Sequence, residues 1–330
     1  MRCFFSEYLR HAIVFIFIGG LLMSCAAPHW ESFKSNDYVL YRLQSGDTPE
    51  SVAKKFLGDA HKAWIIEDAN PKVKFSPNKS IVIPLKSENK AGLYENSYQV
   101  VPILCYHRFA KSCKDALCVT EKAFKAQMQY LKKKNYRVIS LKELVGFLEY
   151  KRALPRNAIV ITIDDGYKSV YDFAVPILKK HGFTATLFIY TDFVAASSNS
   201  MTWKHLRELK AQGYEIGSHT LSHPDLTLKR KGETDQKYLA RIKKEIFESK
   251  KIIDQELKQN TRFFAFPYST YNMQVLDLVK KANYELGLTV ETGENPFFAD
   301  LLVLKRNQVL GEDIKYFTSR ISTTYEMRPK

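Results

Sequence analysis

Long hydrophobic runs are scarce in this chain of 330 residues. The stretch near its start, Ala12 to Met23, falls short of the roughly 20 apolar residues that a spanning helix needs. It follows Arg2 and Arg10, so it reads as an export signal rather than a membrane span. Cysteine is also sparse, with Cys3, Cys25, Cys105, Cys113 and Cys118 alone. No grouping of cysteines and histidines has the spacing of a structural zinc site. Cys105 lies in an apolar strand pattern, while Cys113 and Cys118 stand close enough to form a disulfide in an oxidising compartment or a loop with two free thiols. No internal repeat or low-complexity tract stands out, which removes repeat and tract-like architectures.

Acidic residues are outnumbered, 35 Asp and Glu against 50 Lys and Arg, for a formal net charge of +15. A basic protein favours polyanions. For an exported chain these are anionic lipid and acidic wall polymers, and no nucleic-acid partner is expected. Lys132-Lys-Lys134 reads as a solvated helix face. At 45% hydrophobic content the chain can bury a sizeable core, and its length allows about two domains.

The chemistry-bearing residues cluster in the second half. Ala158 to Ile163 is an apolar run that reads as a buried parallel strand, and it ends in Asp164-Asp165 before Gly166. Tyr214 to Ser218 is a second short strand pattern, delivering His219 and, within one turn of chain, His223. One carboxylate with two imidazoles makes an open three-ligand metal site, and the other carboxylate is then free to act as a base. Side chains at the carboxyl ends of parallel strands face the place where α/β folds build their sites.

Thr162-Ile-Asp-Asp-Gly166 and Ser218-His-Thr-Leu-Ser-His223 resemble the first two motifs of the polysaccharide deacetylases, carbohydrate esterase family four. The resemblance covers roughly residues 98 to 310. It implies an α/β fold, a distorted (β/α) barrel, and metal-dependent removal of acetyl groups from sugars. It further implies Asp164 as general base and Asp165, His219 and His223 as ligands of a divalent metal, with zinc the first choice. Phe264-Ala-Phe-Pro-Tyr268 falls where the family has its third motif, so that the Tyr268 amide would bind the oxyanion. Pro267 beside it and Trp203, which precedes an amphipathic helix, are candidates for the substrate wall; Trp203 reads equally well as a core residue.

Two departures stand out. Many members have an arginine three residues before this tyrosine, where this chain has Ala265, and the family's late histidine is missing from Leu302 to Val309. Both would suit a wall-binding protein whose barrel has lost catalysis. Upstream, however, Val101 to Phe109 is an apolar strand pattern carrying His107. This resembles the subgroup acting on poly-N-acetylglucosamine, in which the motifs are circularly permuted and the catalytic-acid histidine comes first. That resemblance makes His107 the acid that protonates the departing amine.

Residues 1–24 resemble a lipoprotein signal, because Leu22-Met-Ser-Cys25 resembles a lipobox. Cys25 would then carry the lipid, and residues 25–36 would be a tether on the outer side of a bacterial membrane, the outer membrane favoured. Residues 37–86 alternate as strand, helix, helix and strand, with Ser45-Gly-Asp-Thr48 and Asn70-Pro71 at the turns. This resembles a small α+β LysM domain, a binder of N-acetylglucosamine glycans. A polar linker, 87–97, leads to the catalytic domain expected over 98–330. The expected partner is a cell-envelope N-acetylglucosamine polymer. The module makes peptidoglycan the first substrate expected, and the permuted order makes poly-β-1,6-N-acetylglucosamine the second, while the oligomeric state is left open.

Overall fold

The computed structural model describes residues 32–86 and 89–327, so Cys25 and the signal lie outside the described residues. The N-terminal unit is a three-stranded antiparallel sheet in the order β1 (Ser32–Lys34), β2 (Tyr38–Arg42), β3 (Ser80–Pro84), covered by α1 (Pro49–Leu57) and α2 (Ala63–Ala69). Alternation on the strands sends Val39, Tyr41, Ile81 and Ile83 inward against Val52, Ala53 and Ile66. Thr48 caps α1 in a capping box with Ser51, Pro49 sits in its first turn, and Gly58 ends it at φ 75°. The sheet begins at Ser32, inside the expected tether, because three exposed residues carry no apolar alternation to announce a strand.

The second unit also starts earlier than expected, since β4 (Leu93–Tyr94) already pairs with β5 (Ser97–Tyr106). A short parallel pair follows, β6 (Arg108–Ala110) with β7 (Cys118–Thr120), and Cys113 is disulfide-bonded to Cys118 across the loop between them. From there strands and helices alternate: α3 (Glu121–Lys133), β8 (Arg137–Val138), α4 (Leu141–Leu148), β9 (Ala158–Ile163), α5 (Val175–His181), β10 (Thr186–Ile189) and α6 (Trp203–Ala211). The chain continues through β11 (Glu215–Ser218), the 23-residue α7 (Asp235–Leu257), β12 (Phe263–Ala265), α8 (Met273–Lys281) and β13 (Leu286–Leu288). It closes with β14 (Glu294–Pro296), β15 (Asn307–Gln308), α9 (Ile314–Thr318) and β16 (Thr324–Glu326).

The main sheet runs β13-β12-β11-β10-β9-β5-β14, parallel from β13 to β5 and antiparallel at β14. It is the curled, incompletely closed (β/α) barrel that the motifs imply. Residues alternate between its two faces. Ile159, Ile161 and Ile163 of β9 pack outward with α3 and α5, whereas Ala158 and Val160 point inward with Ile103, Phe188, Ala265 and Leu288. The interior is plugged from one end by Leu141, Leu144 and Phe147 of α4. By the same period of two, Cys105, Thr162 and Asp164 continue the inward face above this plug.

Helix α2 meets the barrel, where Glu67 pairs with Arg137 and Asp68 accepts the Arg156 backbone N–H at 3.2 Å. Within the small unit Asn70 joins α2 to β3. Its amide donates to the carbonyls of Ile66 (2.7 Å) and Val82 (2.6 Å), and its oxygen accepts the Val82 N–H at 2.9 Å. Asn70→Ala strands these buried backbone groups, so it should destabilise the N-terminal unit by about 2–3 kcal/mol while leaving the barrel transition in place. Domain-resolved unfolding, by hydrogen exchange on β2 and β3 against β9, checks this; equal loss in both units would contradict it.

Candidate active site

The turn after β9 separates two adjacent carboxylates. Asp164 keeps the strand register, points into the barrel and is 1% exposed. Asp165 takes φ 75° and Gly166 φ 90°, which turns the Asp165 carboxylate toward the strand-end surface. There it meets the loop after β11: His219 Nε2 lies 3.7 Å and His223 Nε2 3.5 Å from Asp165 Oδ1, and the two imidazole nitrogens are 3.1 Å apart. Thr220 (φ 74°) and His223 (φ 60°) share the left-handed conformation, as do Tyr268 (φ 57°) and Ser269 (φ 63°) in the opposing loop. Such backbone is sparsely populated for residues with a Cβ, and it gathers at sites that the surrounding structure over-determines.

The three groups fit a divalent cation. His219 Nδ1 lies 2.8 Å from the Ala265 carbonyl oxygen, which only accepts, so Nδ1 carries the hydrogen and Nε2 presents its lone pair. Burial pushes His219 down to about 3, outweighing the pull of Asp164, and burial lowers His223 as well, so both rings favour the neutral, ligating form. Burial first, and the Asp164 charge second, push Asp165 up to about 7. A cation at this point relieves that cost. Separations of 3.1 to 3.7 Å suit atoms that share one centre at about 2.0–2.2 Å.

Asp164 has the opposite environment. Burial alone would raise it, but Arg306 reverses the direction and holds the carboxyl well below the usual range, with smaller help from His219 and His107. The guanidinium is fully buried and bidentate, Nη1 to Oδ1 and Nη2 to Oδ2 at 2.7 Å each. Nη1 also donates to Thr162 Oγ1 at 3.1 Å and Nε to the Thr289 carbonyl at 2.8 Å. Cys105 Sγ lies 3.5 Å from Asp164 Oδ2, and burial keeps that thiol protonated.

Arg306 was missed at the sequence level. The position three before Tyr268 is Ala265, and the guanidinium arrives instead from the run Leu302 to Val309, which lacks the family's late histidine. A lone arginine two residues after the buried Leu304, in the run leading into β15, was the available signal.

His107 directly follows β5, and its ring nitrogen, Cys105 Sγ and an Asp164 oxygen all lie within 4.8 Å of one another. Burial lowers its proton affinity, with Asp164 acting against that. Arg306 already donates to both Asp164 oxygens, so this second cluster is less suited to a cation than the one at Asp165. The Tyr268 ring packs on His223 with centroids 4.8 Å apart, and Tyr190 flanks the same imidazole at 5.2 Å. Pro267 is buried in the turn before Tyr268. Trp203 packs against the main core cluster and is not among the groups that meet around Asp165, which favours its core reading. A cavity of about 400 Å³ is lined by Arg108, Tyr167, Lys168, Asn199 and the disulfide-bonded Cys118, without either carboxylate of the pair.

Replacing Arg306 by Met leaves Asp164 buried without its partner, a loss of about 3–5 kcal/mol near neutral pH. The sign with pH follows from the direction of the Asp164 shift. In the native protein the depressed Asp164 contributes stability that is present above the ordinary carboxylate range and is lost only as pH falls through its lower folded value. In Arg306→Met burial raises Asp164 instead, so the deficit should shrink as pH falls from about 7.5 to about 4.5 and the carboxyl takes up a proton. Denaturant unfolding of both proteins at the two pH values checks this, and a deficit independent of pH would separate Arg306 from Asp164.

A family pattern described as polysaccharide deacetylase matches residues 151–287. YxkH of Bacillus subtilis, a protein named for that family, is 30% identical over 219 residues, covering 66% of this chain and 75% of the relative. The poly-β-1,6-N-acetyl-D-glucosamine N-deacetylase of Staphylococcus aureus is 27% identical over 242 residues, 71% of this chain and 80% of the relative. Among solved structures, Streptococcus pyogenes deacetylase PplD in complex with acetate superposes with a TM-score of 0.61 at 27% identity, covering 68% of this chain and 98% of that one. IcaB from Ammonifex degensii shares the fold, with a TM-score of 0.58 at 23% identity, over 64% of this chain and 92% of that one.

Proposed function

Because the chain belongs to the polysaccharide deacetylase family and is a hydrolase of that kind, we propose that it removes N-acetyl groups from an N-acetylglucosamine polymer of the cell envelope. The observation that carries this reading is the paired carboxylates: Asp164 locked as a base by Arg306, and Asp165 facing two neutral imidazoles. With Arg306 in place, Ala265 is no reason to read the barrel as a scaffold that has lost catalysis.

Deacetylases of this family generally depend on a metal. Asp165, His219 and His223 would hold it, zinc being the first choice, and when bound it supplies acidity to water and charge to polarise the acetyl carbonyl. Asp164 takes the proton of the attacking water on its carboxylate, which Arg306 keeps ionised and oriented. The Tyr268 backbone N–H is the donor proposed for the developing oxyanion. His107, with a ring nitrogen within 4.8 Å of an Asp164 oxygen, receives that proton from Asp164 and hands it to the nitrogen that leaves as the free amine, so both groups return to their starting state. Acetate and a glucosamine unit result.

The activity for which the Staphylococcus aureus relative is named and the early position of His107 favour a β-1,6-linked polymer. Peptidoglycan is the second reading, supported by the LysM-like order of residues 37–86, which we take to hold the enzyme on glycan. Lipidation at Cys25 would place the protein on the outer side of a membrane, the outer membrane favoured.

Acetate release by the purified protein from both polymers tests the activity. Asp164→Ala should reduce turnover by at least about 10³-fold while still binding zinc, whereas His219→Ala should lose zinc. Full turnover by Asp164→Ala would remove the base from the mechanism, and the preferred polymer decides between the two substrates.

A further inference from the structure

Helix α7 carries an apolar stripe, Tyr238, Ile242, Ile246, Ile253 and Leu257, at helical spacing along its buried face. Glu245 interrupts that face. It is 6% exposed, and a carboxyl group so placed needs partners in the interior. Its partners belong to one loop: Oε2 accepts the backbone N–H groups of Leu221 at 3.1 Å and Ser222 at 2.9 Å, and Oε1 accepts the Ser222 hydroxyl at 2.7 Å. One turn further on, Ser249 Oγ lies 2.8 Å from Ser218 Oγ at the end of β11, and that hydroxyl accepts the Thr220 N–H at 3.3 Å.

The clamped loop is the one between His219 and His223. Its path needs left-handed backbone at both Thr220 and His223, neither of them glycine. Inside the loop His223 N–H donates to Thr220 Oγ1 at 2.9 Å, a local bond that does not tie the loop to the barrel. His219 is fixed separately, by the Ala265 carbonyl. His223 has no such tie to another strand among the described residues; its ring meets His219 and the aromatic faces of Tyr190 and Tyr268.

We propose that Glu245 is a positioning residue for the metal-binding loop, holding Leu221 and Ser222 so that the His223 imidazole is kept opposite Asp165 and His219. This rests on the reading of Asp165, His219 and His223 as ligands. Glu245 touches neither substrate nor cation. It acts through the loop: the segment after β10 holds the Thr220 and Leu221 carbonyls through the Thr191 and Asp192 N–H groups at 3.2 and 2.8 Å, and the two amide bonds and one hydroxyl bond of Glu245 hold the Leu221–Ser222 stretch that runs into His223.

The test uses the full protein with zinc alone and cobalt alone as probes, comparing Glu245→Met, which keeps the length without acceptors, with Glu245→Gln, which can accept both amides and donate to Ser222. Glu245→Met should lower zinc affinity by about 10- to 100-fold and change the visible spectrum of the cobalt-loaded protein, while Glu245→Gln stays close to wild type in both. Wild-type zinc affinity and an unchanged cobalt spectrum in Glu245→Met would overturn the proposal, whatever happens to its melting temperature, as would a Gln variant as impaired as the Met variant. Ser222 is exposed, so Ser222→Ala serves if Glu245→Met does not fold. Losing one of the three bonds should weaken zinc about fivefold to tenfold, and unchanged affinity would again overturn the proposal. Zinc binding unimpaired in both His219→Ala and His223→Ala would instead overturn the ligand assignment beneath it.

Discussion

The buried pair of Asp164 and Arg306 is the interaction on which the rest of the site depends. Both side chains are removed from water, and desolvating two charges is costly unless their remaining hydrogen-bonding capacity is used. Here it is used: the guanidinium donates twice to the carboxylate and once each to Thr162 and Thr289, and the Cys105 thiol adds a contact on the other side. Those partners come from β5, β9, the segment after β13 and the run into β15, so the pair forms only when the sheet has curled. Catalytic geometry and barrel closure are thus one requirement.

Within this frame two neighbouring aspartates are driven to opposite roles. Asp164 keeps the strand register and receives Arg306; Asp165 is turned out of register by its positive φ, is bonded by no lysine or arginine among the described residues, and takes on proton affinity from burial and from its neighbour's charge. Pairs of acids pushed apart in this way are how one site holds both a ready base and a group that welcomes a cation. The separation needs no difference in residue type. One backbone angle, with one buried guanidinium, is enough.

This division explains which parts were legible in the amino-acid sequence. Asp164-Asp165, His219 and His223 stand within a few residues of strand patterns that end at the same edge of a parallel sheet, so their convergence follows from local reading. His107 and Tyr268 are placed by the same strand-end logic. Arg306 escaped because its partner is 142 residues away and its register depends on how β15 pairs with β5 at Leu104 and Cys105, which no local pattern encodes. Glu245 escaped for a related reason, since one acidic residue among the lysines of a long helix looks solvated until the loop that covers it is known. Trp203 suited a sugar platform or the core on residue type alone, and only the tertiary packing shows it half-buried against the main core cluster.

The exchange of Ala265 for Arg306 bears on what such a site constrains. A guanidinium delivered from β12 or from the run into β15 can reach the same inward layer, because side chains from neighbouring strands share the interior of a curled sheet and alternate strictly in and out. On the proposed reading of Asp164 as the base, what matters is a guanidinium bidentate to it in that layer, whichever strand supplies it. In this chain residue 265 contributes instead a small inward methyl and a carbonyl that fixes His219. A motif arginine missing from one strand is therefore weak grounds for inferring a dead barrel, unless every strand that can reach the layer has been searched for its replacement.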